Sequence, residues 1–96
     1  MENETKRLHA TVSGIVQGVG FRFFDYQYGL NLNLRGWVRN RYNGDVEVIA
    51  EGSKDVLDAF LEKIKQGPQS AIVEKVDLEW LAPSGEFPNF TVLPTE

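Results

Sequence analysis

Nine consecutive residues, Gly14-Ile-Val-Gln-Gly-Val-Gly-Phe-Arg22, bring together three features that anion chemistry uses. Glycines free the backbone to turn successive N–H groups toward one point. A helix starting just after them would add the positive end of its dipole, and Arg22 a planar fork of donors. The run reads equally well as a cradle for a phosphate or carboxylate and as a tight turn between two elements. It is not a Walker loop, because no Lys-Ser/Thr follows, and Gly18-Val19-Gly20 lacks the third glycine of a dinucleotide fingerprint.

Asn40 is the second candidate. It shares its parity with Val38, while Trp37 takes the opposite one, so a carboxamide here points to the same side of a strand as Val38. On that side it must find a partner or a bound water. By position alone, an asparagine that satisfies the turn of the following hairpin is favoured over one that serves a ligand.

The remaining polar residues have plainer expectations. His9 falls among the polar positions of an alternating run and reads as a solvated face residue. Arg39 and Arg41 flank Asn40 with opposite parity and dress the other face. Asp25, three residues after Arg22, reads as its ion-pair partner or as a residue facing water, and the carboxylates of 74–79 as a solvated sheet face. No Ser-x-x-Lys, Asp-x-Asp cluster or paired histidines argue for a covalent or metal-assisted route.

These groups need elements to hold them. Leu8, Ala10 and Val12 alternate with polar residues and predict a strand from about Arg7 to Gly14. Gly36–Asn40 and Asp45–Glu51 flank Tyr42-Asn43-Gly44 and predict an antiparallel hairpin. Ser53 is a good N-cap, and Val56, Leu57, Phe60, Leu61 and Ile64 recur at helical spacing until Gly67-Pro68. Ile72, Val76, Leu78 and Trp80 share one parity in a further strand over 72–80, and 89–93 adds a short last one. The segment Phe21–Leu34 supports two periods. Phe24, Tyr26, Tyr28, Leu30, Leu32 and Leu34 alternate as in a strand, yet Phe21, Phe24, Tyr28 and Leu32 form a helical stripe. A helix here balances the order as β-α-β-β-α-β, an α+β sandwich with a mainly antiparallel sheet and two helices on one face, and Asn33 then closes it in a left-handed conformation.

Composition narrows the chemistry. Ninety-six residues, 42% hydrophobic and 25% charged, fit one globular domain, 1–96, with an ordered core about 7–93. With no cysteine and one histidine the chain offers no thiolate nucleophile, no disulfide and no multi-histidine metal site. The net charge of −4 is unevenly spread: all five arginines lie at or before Arg41, and residues 51–96 carry four Lys/Arg against nine Asp/Glu. An acidic chain is a poor non-specific nucleic-acid binder. No apolar run approaches a membrane span or a secretory signal, so the expected location is cytoplasmic.

Val16-Gln17-Gly18-Val19-Gly20-Phe21-Arg22, followed by Gly36-Trp37-Val38-Arg39-Asn40, Asn43-Gly44 and Val46-Glu47, closely resembles the acylphosphatases. The likeness runs from about Leu8 to Val92 and includes Ile64-Lys-Gln-Gly-Pro68 and a Phe90-x-Val92 ending. It implies a ferredoxin-like fold and hydrolysis of the carboxyl–phosphate anhydride of small acyl phosphates, with no cofactor and no metal, by a monomer. It also implies that Arg22 binds the phosphate, Asn40 orients water, and Val16, Gln17, Gly18, Val19, Gly20 and Phe21 form the phosphate loop. Asp25 departs from the family pattern, in which that position is often apolar, and Arg41 follows Asn40 where some members carry a hydroxyl. The reading from another class is a noncatalytic ferredoxin-like module that binds an anion or a partner protein.

Overall fold

The computed structural model describes residues 4–96. Strand β1 (Thr5–Ile15) leads through the glycine-rich loop into helix α1 (Phe21–Asn31), then come β2 (Arg35–Asn40), β3 (Val46–Ser53), α2 (Lys54–Gln66), β4 (Ile72–Leu81) and β5 (Phe90–Val92). The sheet order is β4-β1-β3-β2-β5, antiparallel throughout except for the β2–β5 pair. This is the ferredoxin-like β-α-β-β-α-β arrangement, with β5 added beyond β2.

Both helices cover one face. Leu8, Ala10 and Val12 of β1, Val38 of β2 and Val46, Val48 and Ala50 of β3 meet Phe21 of α1 and Leu57, Phe60, Leu61 and Ile64 of α2 in one core. Phe90 joins it from β5 with its ring 5.9 Å from that of Phe60. Burying a side chain of this size stabilises the fold by about 1.5–3 kcal/mol relative to leaving it in water. Alternation in β1 and β3 therefore sets the register, since a slip by one residue would turn every valine outward.

Helix wins over strand in 21–34, and Asn33 closes the segment at φ 56°. The buried line of α1 is Phe21, Asp25 and Gly29; of the expected stripe only Phe21 lies on it, while Phe24, Tyr28 and Leu32 lie half-buried along its flank. Gly29 permits this rotation: a Cβ there would come within 2.8 Å of the Phe90 ring. Neither expectation for Asp25 holds, because it pairs with nothing among the described residues and has no solvent exposure.

Two smaller expectations also change. Ser53 occupies the N-cap of α2 in extended backbone, but its side chain makes no capping hydrogen bond. In β4 a register shift opposite Ser13/Gly14 switches parity, so that Val73 and Val76 pack on the core while Ile72 is exposed. Period counting across a bulge assigns the far side to the wrong face.

Candidate active site

The glycine-rich loop, the first turn of α1 and the end of β2 converge on a pocket of ≈ 350 Å³ lined by Val16, Gly18, Gly20, Phe21, Arg22, Phe23, Asn40 and Val92. The loop owes its shape to Gly18 (φ 73°) and Gly20 (φ 80°), while Val19 between them has an ordinary negative φ. Alternating φ signs curl successive N–H groups to one side, the pattern of a backbone nest for anions. A Cβ at either glycine would meet nothing within 4 Å, so conformation and not space demands glycine there. Helix α1 starts at Phe21 with Gly20 as its N-cap and with no acidic residue in its first turn. Its positive end is therefore left for a ligand.

Arg22 takes part in none of the ion pairs among the described residues. Asn40 is 8% exposed, and its Oδ1 is buried with no hydrogen-bond partner. The turn reading of Asn40 fails, since the hairpin is closed by other groups. The Arg41 N–H donates to the Asp45 carbonyl at 2.8 Å, and Asn43 Oδ1 accepts from the Asp45 N–H at 3.0 Å. From its far edge, the Asn40 backbone carbonyl accepts the Glu96 N–H at 3.1 Å.

Six of the expected residues, Val16, Gly18, Gly20, Phe21, Arg22 and Asn40, thus share one pocket. The side chains of Gln17 and Val19 turn elsewhere. Gln17 Nε2 donates to the Arg41 carbonyl at 2.7 Å and to the Asp45 carbonyl at 2.9 Å, fastening the loop to the hairpin, and Val19 packs against the core. Phe23 and Val92 were not expected at the pocket. Both are partly exposed apolar residues, and the only sequence signal was their adjacency to Arg22 and to the Phe90-x-Val92 ending.

The outer face of the sheet takes up the other charged candidates. His9 lies between Glu47 (Nε2 to Oε2, 2.7 Å) and Glu79 (Nδ1 to Oε1, 3.0 Å) and so is paired rather than simply solvated. Burial works against its protonation, but the two carboxylates outweigh it and raise its pKa above the usual 6.5. Arg39 and Arg41 both reach Glu47, at 2.9 and 3.1 Å, on the face opposite Asn40.

The acylphosphatase family model matches residues 8–92. The chain is 46% identical over 80 residues to an acylphosphatase of Moorella thermoacetica, covering 83% of this chain and 86% of that one. It is 50% identical over 74 residues to an acylphosphatase of Thermus thermophilus, covering 77% and 84%. Among solved structures, the acylphosphatase of Bacillus subtilis superposes with a TM-score of 0.88 at 33% identity over 92% of this chain and 98% of that one.

Proposed function

The chain belongs to the acylphosphatase family and acts on acyl phosphates, and we propose that it cleaves them by in-line attack of a water held at Asn40 on a phosphoryl group held by Arg22 and the 16–21 loop. The observation that carries the proposal is the shared pocket of an unpaired Arg22, an Asn40 released from its hairpin, and a loop whose φ signs alternate.

An acyl phosphate releases a carboxylate, which is stable unprotonated, so the reaction needs no general acid. What it needs is position and charge. Loop N–H groups and the Arg22 guanidinium would share the three phosphoryl oxygens as charge spreads over them in a loose transition state. The carboxamide of Asn40, its Oδ1 buried, offers its amide N–H groups as donors for fixing a water opposite the leaving group. Phe23 and Val92 form an apolar lip for the acyl portion. Neither metal nor cofactor enters the proposal, and the proposed enzyme is a cytoplasmic monomer acting on a free small molecule.

The test is turnover of benzoyl phosphate with a chelator present, comparing the parent with Asn40→Ala. The parent turns over in the chelator. The variant loses kcat by on the order of 10²-fold, while inorganic phosphate inhibits it as before. A folded Asn40→Ala protein with parental kcat rejects the water-holding role. Loss of parental turnover on chelation, restored by magnesium, rejects the metal-free route.

A further inference from the structure

Among the described residues Asp25 is the one carboxyl with no solvent exposure, and neither of its oxygens has a hydrogen-bond partner there. Unpaired burial of a polar group costs about 1–3 kcal/mol. An apolar side chain would fill the centre of the α1 face at no such cost.

Packing fixes what lies under it. At one end of α1, Gly29 sits on the Phe90 ring, and Phe90 pairs with Gly36 at the start of β2. At the other end, Phe21 and Arg22 share a pocket with Asn40 at the end of β2. The helix therefore runs antiparallel to β2. Four helical residues advance about 6 Å and two strand residues about 6.6 Å, so each step along Gly29, Asp25 and Phe21 matches a step along Gly36, Val38 and Asn40. Asp25 stands over Val38. Helical side chains lean toward the N-terminus, which aims its carboxyl at Asn40, the next residue on that face of β2. The Oδ1 of Asn40 is the other buried, unpartnered oxygen.

Building on the proposed role of Asn40, we infer that Asp25 is a positioning residue whose carboxyl, through one buried water, holds the inner end of the Asn40 carboxamide and so fixes which end faces the pocket. A water with an acid on one side and an amide oxygen on the other has enough polar partners to be retained. Burial pushes the Asp25 carboxyl well above its usual range, in the direction that favours the neutral acid, whose O–H suits that link. With Oδ1 held inward, the amide N–H groups are left facing the pocket, and free rotation of the carboxamide is lost.

Asp25→Val separates this role from a structural one, because it replaces a buried carboxyl that has no direct protein partner with an apolar side chain while cutting the link. The expected result is an equal or higher Tm, unchanged KM and unchanged inhibition by inorganic phosphate, with kcat for benzoyl phosphate reduced on the order of tenfold. Asp25→Asn, which keeps a donor and an acceptor, restores kcat close to the parent. Adding Asp25→Val to Asn40→Ala causes no further loss. Should the valine variant not fold, Asp25→Ala reads the same comparison. Parental kcat in Asp25→Val, no rescue by Asp25→Asn, or losses that multiply with Asn40→Ala each overturn the inference. Parental kcat in Asn40→Ala alone instead overturns the reading on which it rests.

Discussion

The outer face of the sheet and the pocket at the tip of α1 use the same side-chain chemistry to opposite ends. On the outer face, cations are matched with carboxylates: Arg7 with Glu51 and Glu86, Arg39 with Glu47 and Glu96, and Arg41 and His9 with Glu47. At the pocket, Arg22 pairs with no carboxylate among the described residues, the α1 N-terminus has no acid in its first turn, and the Asn40 Oδ1 has no partner. Where groups are paired, they hold strands together. Where they are unpaired, binding energy remains for a substrate.

If that division is right, variants in the two regions fail in different measurements. The largest effect belongs to Arg22→Lys, because a point charge cannot replace a planar fork on a phosphoryl group. It should cut kcat/KM by about 10²–10³-fold with the urea midpoint unchanged, as steady-state kinetics beside a urea melt will show. Glu51→Ala should do the reverse. Glu51 is 6% exposed and accepts from Arg7 Nε at 2.7 Å and from the backbone N–H groups of Ser84 and Gly85 at 2.8 and 3.0 Å. Burial opposes its ionisation, yet these donors together hold its pKa below the usual 4.5. Its loss strands them and should cost about 2 kcal/mol in urea unfolding with kcat intact.

Gln17→Ala probes the border between the regions. It unfastens the loop from the hairpin, and the expectation is about 1 kcal/mol of stability together with weaker inhibition by inorganic phosphate. Unaltered phosphate affinity would place the loop's shape outside Gln17's control. The smallest effect is that of His9→Gln. Because the folded pKa is raised, the contribution of His9 is fully present below its unfolded value near 6.5 and fades as pH climbs through the folded value. Thermal melts should show a deficit of about 0.5 kcal/mol at pH 5.5 and none at pH 9.

Periodicity made most of the architecture legible, because β1, the hairpin and α2 present apolar residues at the positions that are in fact buried. It misread α1, where the central buried residues are Asp25 and Gly29. Apolar counting skips both, so the stripe was drawn along the half-buried flank. In β4, the shift beside Gly14 breaks the period that the count assumed. Of the candidate site, the glycine loop and Arg22 could be read from local order. Asn40 could not be weighed from its position, since the groups that release it from the hairpin, Asn43 and the Arg41–Asp45 pair, act through a turn geometry that the sequence only outlines.

The pocket joins Val16 and Gly18, early in the chain, to Val92 near its close, and β2 is bordered on its open side by β5 in parallel register. Contacts spanning so much of the chain are closed late, after local turns and helices have formed. During synthesis, the segment carrying Arg22 and Asn40 leaves the ribosome well before Val92 does. A nascent chain therefore holds both groups before Val92 is in place to complete the pocket wall.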